Sequence, residues 1–575
     1  MKALLTGNEA IARGAYEFGV TVAAAYPGTP STEILENVGQ YKEIKAQWSP
    51  NEKVAMEVAV GSSIAGARTL AAMKHVGVNV AADPLFTMSY AGVNGGLVLV
   101  SADDPGMHSS QNEQDNRYYA KFAKVPMLEP SDSQEAKDYV GLGLEISERF
   151  DVPVLLRVTT RISHSKTLVE LRDPILRTVK PYVKDIKKYV MMPAFARAKR
   201  LELEQRYARL KEYSETTPVN RVAWGDKRIG VITSGIAFQY AREALPHVSI
   251  LKLGLTWPLP EKLIKAFAAA VETLYVIEEG EPYLEEHVKA LGIPVVGKGI
   301  FPSVGELSVR TVLQAFGGSG VATGKPAAQV PVRPPVLCPG CPHRPVFYLL
   351  KQLKLFVTGD IGCYTLGALP PLDSMDTCIC MGASVPMALG FEKAHPELAE
   401  KTVAVIGDST FVHSGITGLI DIVYNRGTST VLILDNSTTA MTGHQEHPGT
   451  GKTLDRQPTA ALDIEALCKA VGVKRTFVVD PFDMAGLKEA LQREVATREP
   501  SVIIAKRPCV LIVKQEDPLL TIDHAKCVGC KICMRLGCPA ISHDNKKSTV
   551  NAALCVGCAV CAQVCKFDAF VREAD

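Results

Sequence analysis

The chain has 575 residues and a mass of 62.0 kDa, with 63 Lys and Arg against 61 Asp and Glu, a formal net charge of +2. That balance offers no footprint for nucleic acid or an anionic membrane surface, and no apolar run reaches the roughly 18 residues needed to span a bilayer. At about 150 residues per domain, roughly four domains are expected. The N-terminal MKALLTGNEAIARG meets charge and Gly too early for a secretory signal, so a cytoplasmic chain is expected. There thiols stay reduced, and the 15 cysteines read as metal ligands before disulfides.

In chain order, a short apolar strand within residues 20–25 meets Tyr26-Pro27-Gly28-Thr29-Pro30-Ser31-Thr32, a turn that opens a helix. Pro50–Arg68 follows as a helix rich in small residues, carrying Glu52 and Glu57. The strand Leu97–Val100 leads into a long polar loop from Ala102 to Asp115 that includes His108. Strand-end loops of this kind carry substrate groups; Lys74-His75 is a weaker pair. Residues 171–222 are charged and mostly helical, for example Ala194–Tyr213, and read as a solvated connector. Residues 223–317 alternate strands (Ile229–Thr233, Leu274–Glu278) with helices and contain Gly254-Leu255-Thr256-Trp257-Pro258. Residues 318–336 are a Gly/Ala/Pro linker.

Residues 401–436 read as strand (Val403–Ile406), helix (Thr410–Asn425) and strand (Thr430–Leu434), a βαβ unit of a parallel sheet. Gly407-Asp408-Ser409 ends the first strand and Asn436 the second. Neighbouring strand ends open on one crevice. A carboxylate and an amide oxygen there suit Mg²⁺, which keeps diphosphate oxygens among its ligands. The helix after Gly407 points its first amides at that diphosphate. Cys338 and Cys341 form a CxxC, Cys363 lies in Gly359-Asp360-Ile361-Gly362-Cys363, and Cys509 follows a buried strand, Ser501–Ala505.

Eight of the 15 cysteines lie between Cys527 and Cys565, in Cys527-x2-Cys530-x2-Cys533-x4-Cys538 and Cys555-x2-Cys558-x2-Cys561-x3-Cys565. Zinc knuckles use pairs rather than such triplets. The fourth cysteine of each run is expected to cross to the other cluster. Cys527, Cys530, Cys533 and Cys565 then hold one [4Fe-4S] cluster, and Cys538, Cys555, Cys558 and Cys561 a second. Cys378, Cys380 and Cys468 read as ordinary thiols, Cys468 in a core.

Several of these motifs carry a family resemblance. The tail resembles a two-cluster bacterial ferredoxin. The GDS-x26-N stretch, followed by Ser437-Thr438-Thr439-Ala440-Met441, resembles the diphosphate motif of thiamine diphosphate enzymes. The turn at Tyr26–Thr32 resembles the YPxTPS motif of 2-oxoacid:ferredoxin oxidoreductases, and the order of segments is similar to the large subunit of their indolepyruvate branch. The resemblance implies an α/β fold of two three-layer thiamine modules, a transketolase C-terminal-like domain and a ferredoxin-like tail. It divides the chain into a pyrimidine-binding domain (1–170), connector (171–222), transketolase-type domain (223–317), linker (318–336), diphosphate/Mg²⁺ domain (337–512) and two-cluster tail (513–575).

The same resemblance implies roles. Glu52, nine residues before Gly61, contacts thiamine N1′, a better match than Glu57. Thr29 contacts the 2-oxoacid carboxylate, and His108 is a substrate-contact candidate. Gly382, Gly407, Asp408, Ser409, Asn436, Thr438 and Met441 bind cofactor, with Mg²⁺ on Asp408, Asn436 and the Thr438 carbonyl. Cys338, Cys341, Cys363 and Cys509 hold a third [4Fe-4S] cluster next to thiamine. Pyruvate members carry an Arg near this loop's start, where Asp103 or its neighbours stand here, and an Asn where Met441 stands; both differences favour a larger, apolar substrate. The implied reaction is oxidative decarboxylation of an aryl 2-oxoacid, such as indolepyruvate, with coenzyme A and ferredoxin, by an α2β2 assembly with a separate small subunit. Electrons then run from thiamine to the Cys338 cluster, to the tail clusters, to ferredoxin. The rivals are a ferredoxin oxidoreductase for another 2-oxoacid, a non-redox thiamine carboligase, and an electron-transfer scaffold with degenerate thiamine halves.

Overall fold

A computed structural model describes residues 1–175, 178–318, 333–514, 517–544 and 546–572. It divides into two compact units, 1–328 and 329–575. Residues 319–332 of the expected linker lie outside the described residues. Among those described, no helix is long and apolar enough to cross a membrane.

The first unit is built on a seven-stranded sheet ordered 255–257, 127–128, 154–159, 97–103, 69–74, 22–25, 45–48. All neighbours are parallel except the antiparallel edge strand Leu255–Trp257. The central strands Thr69–Lys74, Leu97–Asp103 and Val154–Thr159 are buried along their whole length, as a parallel sheet covered on both faces requires. A four-stranded sheet follows in the order 273–277, 226–234, 248–253, 221–223.

Three expectations need correction here. The strand at Leu97 runs to Asp103, three residues beyond its expected end, because Asp103 is neutralised inside the fold by Arg157 at 2.8 Å. Residues 171–222 are largely solvent-facing and carry the expected helix, but they are also tied to their neighbours. Two of their backbone amides bond back to the first domain, Ile175 N–H to the Glu17 carbonyl and Lys180 N–H to that of Gly66. The helix Pro193–Thr216 buries Leu203, Leu210 and Arg206, whose guanidinium donates to the Ser89 carbonyl at 2.6 Å. Finally, Leu255–Trp257 pairs with Met127–Leu128, so this piece of the expected transketolase-type domain completes the edge of the first sheet.

The second unit holds a six-stranded, all-parallel sheet ordered 377–378, 356–359, 402–407, 430–435, 501–506, 475–479. Period-2 alternation feeds two cores. Val403, Val405, Leu432, Leu434 and Ile503 face the helices His343–Leu353 and Met484–Val495. Ala404, Ile406, Val431, Ile433 and Ile504 face Ser384–Ala394, Ile416–Tyr424 and Ile464–Ala470. Cys468 is fully buried in this second core. The tail shares the first: Leu536, Ile541, Val560 and Val564 pack into it. Two antiparallel ribbons, Leu520–Ile522 with Phe570–Arg572 and Ile541–Asp544 with Lys547–Val550, frame the tail's cysteine loops.

Candidate active site and cysteine groups

Both large sheets bring polar residues to their carboxyl edges. In the second unit four strand ends supply the groups. Asp360 follows Gly359, Asp408 follows Gly407, Asn436 follows Asp435, and Cys509 lies three residues past Lys506. Asp408 is buried and accepts from Ser409 N–H at 2.9 Å, Ser437 N–H at 2.8 Å and, at 3.2 Å, His447 Nε2. The Asn436 amide oxygen lies 3.2 Å from Asp408 Oδ1 and 2.9 Å from the Thr438 carbonyl. Turned over, the orientation that hydrogen bonding favours without a cation, the amide NH₂ donates to the other two; turned inward, three oxygens converge. In an octahedral site, oxygens about 2.1 Å from Mg²⁺ stand about 3 Å apart. The donor set thus fits that cation.

The segment after Asp408 winds as Asp408–Thr410, a π turn at Phe411–Gly415 and the helix Ile416–Tyr424. The helical path starts two residues before its expected position, so its first turn begins at Asp408 and Ser409. Gly407 packs against the Tyr364 ring, and Thr439 donates to Ser409 Oγ at 2.8 Å. Buried Asp360 accepts from Ile361, Gly382 and Ser384 N–H at 2.9, 2.9 and 3.0 Å, and burial raises its pKa. Gly382 has φ +86°, and a Cβ there would lie 2.2 Å from Ser414 Oγ. Only glycine fits this turn. Met441 is 48% exposed. Sequence reasoning missed Asp360, His447 and His343. Burial pushes His343 down to about 4, against the opposing charge of nearby Asp408.

Cys509 N–H donates to the Asn436 carbonyl at 2.9 Å, which seats this thiol beside the oxygen cluster. Burial raises Cys341 to about 12, with Cys338 and Cys363 adding to it, and Cys363 to about 11, with Cys509 and Cys338 adding. The four thiols thus share one electrostatic neighbourhood. In the tail, Cys527, Cys530, Cys533 and Cys565 line one small, largely apolar pocket. Burial raises Cys558 and Cys561, and both are raised further by Cys538 and Cys555. The fourth cysteine of each run therefore lies with the other run. Three loops share one turn: Gly340, Gly529 and Gly557 have φ of +71°, +72° and +71° in Cys338-Pro-Gly-Cys341, Cys527-Val-Gly-Cys530 and Cys555-Val-Gly-Cys558. Buried, clustered thiols resist ionisation, and coordination to a metal reverses this. Among the described residues no three His, Cys, Asp or Glu side chains meet closely enough to hold a metal ion. Cys378 donates to the Asp360 carbonyl at 3.5 Å, and Cys380 is exposed.

In the first unit, Glu52 begins the helix Glu52–Ile64, whose N-cap Asn51 accepts from Val54 N–H at 2.9 Å. Glu52 is 5% exposed, and its carboxyl packs against Gly77, where a Cβ would lie 2.7 Å from Oε1. Glu57 is exposed and pairs with Lys53. Thr29 lies half-buried in the turn held by Ser31 Oγ donating to the Gly28 carbonyl at 2.7 Å. Lys74 packs against Gly28; burial lowers its pKa to about 8, against the charges of Asp104 and Glu52. Asp104 accepts from Ser109 N–H, Ser110 Oγ and Thr160 Oγ1 at 2.8, 2.6 and 2.7 Å. His108 is half exposed and pairs with Glu306 at 3.0 Å.

Comparison with known proteins agrees with this layout. Residues 13–217 match the family described as pyruvate flavodoxin/ferredoxin oxidoreductase, thiamine diphosphate-binding. Residues 360–505 match the thiamine pyrophosphate enzyme C-terminal binding domain. Together they define an enzyme of the thiamine-dependent 2-oxoacid:ferredoxin oxidoreductase class. The chain is 43% identical to indolepyruvate oxidoreductase subunit IorA of Archaeoglobus fulgidus, over 98% of this chain and 96% of that protein. It is 42% identical to the Pyrococcus horikoshii protein of that name, over 100% and 98%, and 40% to the Methanothermobacter marburgensis one, over 99% and 97%. The chain belongs to the IorA family of indolepyruvate oxidoreductase subunits.

Proposed function

We propose that this chain is the thiamine-bearing and electron-relaying subunit of an enzyme that oxidises aryl 2-oxoacids. The reaction is indolepyruvate + coenzyme A + two oxidised ferredoxins giving indoleacetyl-CoA + CO₂ + H⁺ + two reduced ferredoxins. The relatives are named as subunits, and a separate small subunit in an α2β2 assembly accords with that name. The observation that carries the reading is the meeting of Asp408, Asn436 and the Thr438 carbonyl beside the Cys509 thiol.

When bound, thiamine diphosphate supplies a carbanion that adds to the keto carbon and an electron sink that survives loss of CO₂. The protein's share is binding, orientation and proton control. Asp408, Asn436 and Thr438 hold Mg²⁺, with the Asn436 oxygen turned inward. The amides after Gly407, with Ser409 and the Gly382 turn, receive the diphosphate. Glu52 holds a proton at the aminopyrimidine nitrogen. Thr29 meets the substrate carboxylate, and His108 lies on the loop at the same sheet edge. Met441 offers an adaptable apolar surface for an aryl group.

The cysteine groups take three four-iron clusters: Cys338, Cys341, Cys363 and Cys509; Cys538, Cys555, Cys558 and Cys561; and Cys527, Cys530, Cys533 and Cys565. Single-electron carriers suit a ferredoxin acceptor, and the last two groups make residues 513–575 a ferredoxin-like domain. The test is viologen reduction by the anaerobically purified two-subunit complex. Reduction should require both indolepyruvate and coenzyme A. Release of CO₂ without viologen or ferredoxin reduction would make the enzyme a carboligase-type decarboxylase instead.

A further inference from the structure

Arg344 opens the helix His343–Leu353 directly after the Cys338–Cys341 loop and is 4% exposed. Its guanidinium donates to the carbonyls of Leu536 at 2.8 Å, Cys338 at 3.2 Å, and Leu337. Its Nε is buried without a partner. Among the described residues no carboxylate pairs with it; the charges that act on it are those of Cys538, Cys341, Cys558 and Cys338. A guanidinium stays protonated, and burying it without an anion is strongly unfavourable. With clusters bound, the anions at hand would be the ligating thiolates of two different cysteine groups.

The same two groups touch at a second point. A Cβ at Gly340 would lie 2.3 Å from Val556, so the Cys338–Cys341 loop packs on the Cys555–Cys558 loop. Gly537, next to Cys538, lies against the Arg344 fork, where a Cβ would be 3.3 Å from Nη1. The Cys527 group shows no such tie. Its Cys530 is exposed, as are Val528 at 59% and Phe567 at 43%.

We propose that Arg344 is the positioning residue and shared counter-ion joining the Cys538/Cys555/Cys558/Cys561 site to the Cys338/Cys341/Cys363/Cys509 site. This rests on the cluster assignments above. Each transfer between them moves one electron: the Cys338 site is oxidised, the Cys538 site reduced, and no bond or proton changes. The final oxidant is ferredoxin. A thiolate-bound cluster gains negative charge on reduction, so a fixed cation beside it raises its potential.

The experiment is a redox titration of the full complex, followed by electron paramagnetic resonance with dithionite as reductant. Arg344→Met should lower the midpoints of the Cys338 and Cys538 clusters by at least a tenfold change in the one-electron equilibrium, about 59 mV. The Cys527 cluster should not move, and Arg344→Lys should restore most of the shift. Unmoved midpoints at full iron content would overturn the role of Arg344. Should Arg344→Met fail to assemble, Arg344→Gln is titrated in its place, with the same expected shift and the same overturning result. If indolepyruvate and coenzyme A reduce no cluster in the wild type, the proposed function fails, while the dithionite titration still judges Arg344.

Discussion

The carboxyl edges of the two large parallel sheets solve different problems. In the first unit polar groups satisfy one another: Asp103 with Arg157, Asp104 with Ser109, Ser110 and Thr160, Lys74 with the Ser109 carbonyl. In the second, the Asn436 amide lies between Asp408 and the Thr438 carbonyl, and its orientation decides between two hydrogen bonds and three converging oxygens. On the proposed reading, the first edge, settled by its own hydrogen bonds, shapes the site and moves a proton. The second would take a cation, so ligand binding and local stability would coincide there.

That contrast sets the expected order of effects. Asp408→Ala should abolish retention of thiamine diphosphate and Mg²⁺ through gel filtration, measured on the released cofactor; stoichiometric retention would break the comparison. Glu52→Gln should retain cofactor and iron yet lose about 10²- to 10⁴-fold in turnover, the range for a positioned proton-transfer group. Near-wild-type turnover would remove Glu52 from the chemistry, and Glu57→Gln should be silent. Iron analysis should give about 12 Fe per chain for three four-iron clusters, and a value near eight would delete the Cys509 cluster.

The smallest effect concerns Glu279, whose burial raises its pKa from 4.5 to about 7, against the Leu307 N–H that it accepts at 3.0 Å. The folded state holds a proton there that the unfolded chain has lost, so this contribution to stability is full below pH 4.5 and fades as pH rises through about 7. In denaturant titrations across that window, Glu279→Gln should flatten the decline. An unchanged slope would show that Glu279 titrates like an exposed carboxylate.

Much of this was legible in the chain because parallel sheets display their chemistry at strand ends. Asp408, Asn436 and Cys509 follow apolar runs that announce buried strands, and the cysteine spacings are local. Other features depended on distant partners. Ala102-Asp103 reads as the start of a loop because a carboxylate in a buried strand is expensive, and Arg157, 54 residues on, makes it tolerable. Residues 193–216 look solvated because Arg206 hides its charge against a distant carbonyl. His447 reaches Asp408 across 39 residues with no motif to mark it.

The hydrogen bond from the Cys509 amide to the Asn436 carbonyl has a consequence for biogenesis. On the proposed reading, one backbone hydrogen bond ties the segment bearing a sulfur for iron to the residue whose side-chain oxygen would hold the diphosphate's cation. Cofactor loading and cluster insertion should therefore be cooperative in the nascent enzyme. Chains that receive one early should resist loss of the other to air or chelators during maturation.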